Sequence, residues 1–350
     1  MTRSRPFFIA CLALGTLTTM ACDENVRPRS LVDQFKILAV QVDPPDVGLL
    51  SLNRTIRVTS LLVDPTGYDG PVEYAVIACT NYDGVIGCLE EAAMVTETDL
   101  ENGQLDLTED EYRAFFSTFV KRGRLETHGR YAEFHQNIEI PFNLYYLMTE
   151  YGYTDIEAKV YVLACMDDAC PVLDDIDAFL AQDPTAPTGE ELLYEISVPD
   201  ALTSGAPMDR STLARKSYRV VEMRDSSSND NPDIAAWELV GCDQVILSDP
   251  DTTRTCTLEA TIDPDESLQV YAPSPDSTLE SQEVAVVRFY STAGEMTPHS
   301  AQFFVNGPMT QSSTFKLYPG EDPEVIDFYL VLMDSRGGLD YVPLGAAIEK

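Results

Sequence analysis

Short apolar segments that end at proline turns are the feature that most constrains how this chain can fold. Residues 35–42 alternate between apolar and polar side chains before Asp43-Pro44, and residues 55–63 form a second apolar segment before Asp64-Pro65. Strands of this length, each closed by turn residues, are typical of antiparallel sandwiches. A chain of 350 residues is long enough for two such domains, each with its own core. We therefore predict a mainly β protein with two antiparallel β-sandwich domains in tandem.

The same pattern returns in the second half of the chain. The sequence predicts strands at 257–262, 284–290, 301–305 and 325–333, and the last is followed by Asp334-Ser335-Arg336-Gly337-Gly338, which predicts a hairpin. A stretch rich in proline, glycine and polar residues precedes this half and indicates a linker. The predicted organisation is a first sandwich over 35–198, a linker over 199–216 and a second sandwich over 217–350, with Trp237 in the second core.

A helical pattern interrupts the first sandwich at about 105–150. Thr108 and Glu111 have the spacing of a capping box. Apolar side chains then recur at helical spacing, at Tyr112, Phe115, Phe116, Phe119 and Val120. Lys121 and Arg122 suit the C-terminal end of a helix, and Gly123 can end it. We predict a helical insertion here, and a second, acidic helix over 172–181.

The first 22 residues have the layout of a secretory signal peptide. Arg3 and Arg5 precede an apolar run that ends at Cys22. The run is too short to cross a bilayer core of ~30 Å as a helix. The layout resembles that of bacterial lipoproteins, in which the cysteine after the cleavage site carries the lipid, although Thr19 and Met20 depart from the usual pattern. This resemblance implies lipidation of Cys22, a tether over 23–34 and export to a membrane surface, with the inner or outer membrane left open.

Six cysteines remain when Cys11 in the leader and Cys22 are set aside. They fall into three local pairs, which are Cys79 with Cys88, Cys165 with Cys170, and Cys242 with Cys256. Export permits disulfides, although spacing alone does not determine their connectivity. Cys79 with Cys165 is the rival pair, because both residues close similar strands. A zinc site is disfavoured, because the sequence has no cysteines separated by two residues and no histidine near them.

The composition is strongly acidic, with 58 Asp and Glu against 23 Lys and Arg and a net charge of −35. Such a chain repels nucleic acid and anionic membrane surfaces. The acidic residues are spread along the chain, which is typical of a solvated surface. Binding of cations or of a basic partner is the other interpretation.

The sequence contains no pattern that predicts catalysis. Its three histidines, His128, His135 and His299, belong to no known catalytic motif, and we predict that the protein is not an enzyme and has no cofactor. Aligning Gly103 with the glycine of a calcium loop places Asn102, Asp106 and Glu109 at ligand positions. Thr98 and Leu100 then stand where carboxylates are needed, so no metal site is predicted. A second acidic loop at 225–233 is predicted to be exposed between strands.

Three stretches carry a resemblance to a family. They are residues 36–45, residues 289–295 and Asp334-Ser335-Arg336-Gly337-Gly338, which resemble uncharacterised bacterial envelope lipoproteins with Ig-like (PKD-like) β-sandwich domains. The resemblance implies that the two tandem sandwiches are Ig-like, the first with helical insertions, and that the protein is located in the envelope, and it brings no known activity. The predicted function is a non-enzymatic interaction or structural module, held to the membrane through Cys22, with an unknown envelope protein or polysaccharide as partner and no nucleic acid.

The alternative function is binding of a ligand or cation by the acidic insertion at 97–153. This segment is rich in aromatic side chains, which could form a binding platform or pack in the core. They are Tyr131, Phe134, Phe142, Tyr145, Tyr146, Tyr151 and Tyr153.

Overall fold

The structure is a computed structural model that describes residues 30–48, 55–79, 120–139, 148, 152–153, 155–166, 170–181, 211–221, 228–242, 245, 249–271 and 280–349. Within these ranges the chain is mainly β. The strands of the first half are β1 Lys36–Asp43, β2 Asp46–Gly48, β3 Thr55–Val63, β4 Asp69–Cys79, β5 Val120–His128, β6 Tyr131–Glu139, β7 Asp155–Met166 and β8 Ser211–Val221.

The second half has ten strands in its described part. They are β9 Ala236–Val240, β10 Arg254–Thr261, β11 Val270–Tyr271, β12 Ser281–Gln282, β13 Ala285–Ser291, β14 Glu295–Thr297, β15 Ser300–Phe303, β16 Thr310–Leu317, β17 Val325–Asp334 and β18 Leu339–Glu349. The two described helices are α1 Pro171–Leu180 and α2 Pro264–Ser267.

Four sheets form two face-to-face stacks. Sheet I has the order β1-β3-β6 and sheet II the order β2-β8-β7-β4-β5, and together they enclose the core of the N-terminal sandwich. Sheet III has the order β15-β13-β17-β18 and sheet IV the order β14-β16-β10-β9, and they enclose the core of the C-terminal sandwich. All pairings within these sheets are antiparallel except β2 with β8.

The two sandwiches meet where the outer face of sheet I packs on the outer face of sheet III. Side chains of β3 alternate, so Ile56, Val58 and Leu62 enter the N-terminal core while Leu61 and Val63 enter this junction. Strand β17 behaves in the same way, with Phe328 and Leu330 in the C-terminal core and Tyr329 and Val331 in the junction. Both strands are therefore buried on both faces, which explains their continuous apolar sequences.

The predicted helix is wrong over 120–123, because these residues begin strand β5. Arg122 pairs with Ala75 of β4, and Gly123 pairs with Tyr74. A Cβ on Gly123 would lie 2.2 Å from Cζ of Tyr74, so this glycine makes room for an aromatic ring and does not cap a helix. The predicted helical insertion over 105–150 is also wrong for 120–139, where β5 and β6 complete sheets II and I. Its remaining residues, apart from Met148, lie outside the described ranges.

The predicted linker over 199–216 is wrong for residues 211–216, and the predicted start of the second sandwich at 217 is also wrong. Strand β8 pairs with β7 along its whole length, from Ser211 opposite Cys165 to Val221 opposite Asp155. Tyr218 lies in the N-terminal core. The sequence of β8 looks like a linker because most of its side chains are only partly buried or exposed. Residues 199–210 lie outside the described part of the chain.

The acidic helix predicted at 172–181 is confirmed as α1. Pro171 occupies its first turn, where the missing N–H costs nothing. Leu173 and Ile176 pack on the outer face of sheet II. Arg122 of β5 forms ion pairs with Asp174 and Asp177, so these acidic residues fasten the helix to the sheet.

The tether predicted over 23–34 is wrong for residues 30–34, which belong to the folded body. The Val32 N–H donates to the Ser291 carbonyl oxygen at 2.8 Å, and the Ser291 N–H donates to the Ser30 carbonyl oxygen at 3.0 Å. The Met296 N–H donates to the Ser30 hydroxyl oxygen at 3.1 Å. The chain thus enters the fold at the C-terminal sandwich before it builds the N-terminal one.

Candidate functional site

A cluster of charged and amide side chains lies at one edge of the junction between the sandwiches. We call it the junction cluster and define it as Asp46 of β2, Lys216 and Arg219 of β8, Asn229 before β9, Glu283 before β13, and Asp334 and Arg336 at the β17–β18 turn. Its members come from both sandwiches, since β2 and β8 belong to sheet II and β13, β17 and β18 to sheet III.

Asp46 is the centre of the junction cluster. Its side chain is 2% exposed, and its carboxylate accepts hydrogen bonds from Arg219 Nε at 3.1 Å, the Asn229 N–H at 2.7 Å and Arg336 Nη2 at 3.2 Å. A buried carboxylate is tolerated only when it is paired and hydrogen-bonded in this way. Asp46 therefore links a strand of the N-terminal sandwich to the closing turn of the C-terminal one.

Arg336 connects Asp46 to Glu283. Its Nη1 donates to Glu283 Oε1 at 3.2 Å, and its guanidinium carbon lies 4.5 Å from the centre of the Tyr271 ring, which is a cation–π geometry. The Glu283 side chain is 1% exposed. Burial raises the pKa of Glu283 to about 7, and the negative charge of Asp334 acts in the same direction. Near neutral pH this carboxyl group is therefore close to the midpoint of its titration.

The turn from Asp334 to Gly338 is built around one carboxylate. Asp334 Oδ1 accepts hydrogen bonds from the Arg336 N–H at 2.7 Å and the Gly338 N–H at 2.8 Å, and Oδ2 accepts from Asn229 Nδ2 at 3.1 Å. A Cβ on Gly338 would lie 2.1 Å from Asp334 Oδ2. Burial lowers the pKa of Lys216 to about 8, although the charge of Asp334 opposes this effect.

The loop predicted as exposed at 225–233 contributes to this cluster. Ser228 and Asn229 are buried, at 7% and 0% exposure, so the prediction is wrong for them. Asn231 Nδ2 donates to the Val42 carbonyl oxygen at 3.1 Å, and its Oδ1 accepts from the Leu339 N–H at 3.0 Å. The polar side chains of this loop satisfy buried backbone and carboxylate groups between the sandwiches. Residues 225–227 lie outside the described ranges.

A second polar contact joins the sandwiches at the opposite edge of the junction. Arg130 lies in the turn between β5 and β6, and its Nη1 is 3.7 Å from Oδ2 of Asp327 in β17. The Asp327 N–H donates to the Thr292 hydroxyl oxygen at 2.9 Å. The apolar centre of the junction is therefore flanked by charged contacts on both sides, which fixes how the two sheets align.

Two disulfides are present in the described residues. They are Cys165–Cys170 and Cys242–Cys256, and both match pairs that the sequence suggests. The rival pair Cys79–Cys165 is wrong, because β4 and β7 place Cys79 opposite Lys159 and Cys165 opposite Glu73. Six residues of strand separate the two positions, about 20 Å, whereas a disulfide needs Cα atoms closer than about 7 Å. Cys88 lies outside the described residues, so the pair with Cys79 stays a prediction.

The described residues do not include four of the predicted site residues, which are Cys22, Asn102, Asp106 and Glu109. His128 is exposed, and its Nδ1 lies 2.7 Å from Oδ1 of Asp69. Where the chain is described, no group of three or more His, Cys, Asp or Glu side chains could hold a metal ion.

The aromatic residues of the predicted insertion separate into core and surface. Phe134 is buried and stacks on Tyr74 with ring centres 3.8 Å apart. Tyr131 and Tyr153 are exposed, at 42% and 56%. Phe142, Tyr145, Tyr146 and Tyr151 fall outside the described ranges.

Trp237 is not the core residue that the sequence predicts. It lies on β9, at the edge of sheet IV, and is 42% exposed. Its partner Ala260 on β10 is fully buried, so Trp237 points to the core side of the sheet but stands at its margin. An aromatic side chain on a short edge strand is the signal that sequence reasoning missed.

Among the described residues, no helix has the length and apolar character needed to cross a membrane.

No protein-family model matches the chain, and no curated protein matches it. Among solved structures, the chain is similar to red sea bream transglutaminase at 9% identity and a TM-score of 0.22, over 89% of this chain and 31% of that one. It is also similar to the calcium binding domain CBD12 of CALX1.1 at 7% identity and a TM-score of 0.17, over 84% and 80% of the two chains. At these TM-scores neither likeness carries an argument about function.

Proposed function

We propose that this chain is an exported protein of the cell envelope, held to a membrane by a lipid on Cys22, in which two Ig-like sandwiches act as a non-enzymatic interaction or structural module. The membrane through Cys22 is one partner, and the other is an envelope protein or polysaccharide. Cys22 follows an apolar leader, as in the lipoproteins that the first residues resemble. The two disulfides support export, because cysteine pairs persist in oxidising compartments.

The observation that carries this proposal is the attachment of the N-terminal segment. Ser30 and Val32 are hydrogen-bonded to β13 and β14, so seven residues remain between Cys22 and the folded body. An extended chain covers at most ~3.6 Å per residue, which puts the C-terminal sandwich within about 30 Å of the anchor. Each buried CH₂ of a lipid chain contributes ~0.8 kcal/mol, so several acyl chains hold such a body stably at the membrane.

The junction supports a structural role for the body that the anchor holds. Sheets I and III bury apolar side chains against each other, and Asp46 and Arg336 link the sandwiches through buried ion pairs. Two sandwiches joined in this way present their surfaces in a fixed relation to one another. This is what a module that positions a partner requires.

Replacement of Cys22 by serine tests the anchor. The full chain with its own leader would be expressed in a bacterium that processes lipoproteins, followed by separation of membranes and labelling with an alkyne-tagged fatty acid. We expect the wild type to be in the membrane fraction and labelled, and Cys22→Ser to be unlabelled and released from membranes.

Cys11→Ser is the matched control, because Cys11 is the other cysteine of the leader. We expect this variant to be labelled and to stay with the membranes. Label or membrane retention that survives Cys22→Ser would refute the lipid anchor. Loss of both in Cys11→Ser would refute the choice of cysteine.

A further inference from the structure

Strand β9 is an edge strand that exposes large apolar side chains. In sheet IV it pairs with β10 and has no described strand on its other side. Trp237 is 42% exposed and Val240 is 45% exposed. In a strand of this kind, the N–H and C=O groups of alternate residues point away from the sheet and can pair with another chain.

Other sheet edges are protected in ways that β9 is not. Strand β14, at the opposite edge of sheet IV, has three residues and is covered by Ser30, which accepts a hydrogen bond from the Met296 N–H. Strand β5, at the edge of sheet II, carries the charged residues Lys121, Arg122, Arg124 and Glu126. Short length and charge are the usual ways in which proteins prevent pairing at an edge. The edge formed by β9 instead displays an indole ring.

The charges at this edge indicate what kind of chain can pair with it. Glu238 of β9 stands directly opposite Glu259 of β10, and like charges in directly opposed positions destabilise a sheet. A cationic side chain beside Glu238 would relieve this repulsion. A second copy of the chain would add acidic residues, because each copy carries a net charge of −35.

Strand β9 lies at the edge of sheet IV away from the point where the N-terminal segment attaches to the folded body. Strand β9 pairs with the Thr257–Thr261 part of β10. The Ser30 attachment lies at the opposite edge of sheet IV, on β14, and strands β16 and β10 separate it from β9. The exposed edge is therefore displaced from the point where the tether leaves the body.

We propose that β9 is a docking edge at which an extended basic segment of a partner protein adds a further strand to sheet IV. Its apolar side chains contact Trp237 and Leu239, and its Lys or Arg side chains lie beside Glu238, whose other neighbour across the sheet is Glu259 of β10. Strand addition gives affinity through backbone hydrogen bonds and specificity through alternate side chains. This inference deepens the proposed interaction function and rests on it, since it assigns that function a surface and a class of partner.

Trp237 provides a direct probe of the edge, because it is the only tryptophan in the chain. The detergent-solubilised full chain would be titrated with a seven-residue peptide of alternating Lys and Val while the Trp emission is recorded. We expect a saturable blue shift, because strand addition removes the indole ring from water. A Glu and Val peptide, and a Lys and Val peptide with a central proline, are the controls and should leave the emission unchanged.

Glu238→Lys separates the proposed edge from general attraction of a basic peptide to an acidic protein. We expect this variant to weaken the apparent affinity about fivefold, the effect of replacing an exposed ion pair by a repulsion. Glu280→Lys makes the same charge change at another exposed position and should change the affinity less than twofold.

Three results of the peptide titrations would overturn the proposal. They are an emission that does not move at millimolar peptide, equal responses to the proline peptide, and equal losses in Glu238→Lys and Glu280→Lys. A blue shift that grows with protein concentration in the absence of peptide would also overturn it, because it would identify a second copy as the occupant. Failure of the membrane-release experiment with Cys22→Ser leaves these fluorescence readouts unchanged, so the two proposals fail separately.

Discussion

Leu61→Ala tests whether the junction makes the two sandwiches unfold as one unit. Leu61 is fully buried on the outer face of sheet I, in the same cluster as Ala39, Tyr329 and Val331. Its truncation removes contacts between the sandwiches and leaves the side chains of the N-terminal core in place. Leu62→Ala is the matched control, because Leu62 is the next residue of β3 and faces the N-terminal core.

The expected loss can be worked out from the burial of the side chain. Leu→Ala removes three carbon atoms, which is about 2.4 kcal/mol at ~0.8 kcal/mol per buried CH₂. A residual cavity of roughly 50 Å³ adds about 1.2 kcal/mol at ~24 cal/mol per Å³. We therefore expect a total loss of about 3–4 kcal/mol for each variant. Leu61→Ala lowers the free energy that couples the two sandwiches. Leu62→Ala lowers the stability of the N-terminal sandwich itself.

Urea denaturation with two probes distinguishes these outcomes. Far-UV circular dichroism follows both sandwiches, whereas the fluorescence of Trp237, the only tryptophan, follows the C-terminal sandwich. We expect the two curves to coincide in the wild type and in Leu62→Ala, with a lower midpoint in the variant. In Leu61→Ala they should separate, because less free energy couples the sandwiches. Coincident curves in Leu61→Ala, or a loss below about 1 kcal/mol, would refute the reasoning.

Three further predictions concern single groups. Burial raises the pKa of Glu283 from its ordinary value of 4.5 to about 7, so its favourable contribution is complete below pH 4.5 and is lost as the pH rises through 7. The wild type should lose about 3 kcal/mol relative to Glu283→Gln between pH 4.5 and 8 in urea titrations, and a constant difference would contradict this. Tyr329→Phe should raise the free energy of unfolding by about 1 kcal/mol, because the buried Tyr329 hydroxyl has no hydrogen-bond partner among the described residues; a loss of stability would count against it. Gly294→Ala should cost more than ~2 kcal/mol, since φ is +64° and a Cβ would lie 2.4 Å from the Lys316 carbonyl oxygen. Gly320→Ala, at φ +86° with no atom near, should cost only ~1 kcal/mol, and equal losses in thermal denaturation would exclude the steric cause.

Much of the strand pattern was predictable, because alternation and turn residues act over a few neighbours. The segments expected at 35–42, 55–63 and 325–333 correspond to β1, β3 and β17, and the turn at Asp334 leads into β18. The mainly β fold follows from these local signals. The assignment of the two sandwiches as Ig-like domains stays a prediction.

The wrong predictions fall where the local sequence is compatible with more than one structure. Val120 to Gly123 continue a helical pattern, but tertiary pairing with β4 makes them a strand. Strand β8 lacks an apolar pattern because only Tyr218 and Val220 are fully buried. The exposure of Trp237 was missed because periodicity does not distinguish a central strand from an edge strand.

Local sequence was enough to predict strands β1, β3 and β17, the turn after Asp334 and the pairs Cys165–Cys170 and Cys242–Cys256, because these depend on residues close together in the chain. The tertiary structure decided which face of β3 enters its own core and which enters the junction. It also decided the partners of Asp46, which pairs with Arg219 and Arg336 from positions 173 and 290 residues away. Burial and ion pairing of this kind arise from contacts between distant segments, and hydrophobic periodicity carries no information about which segments will meet.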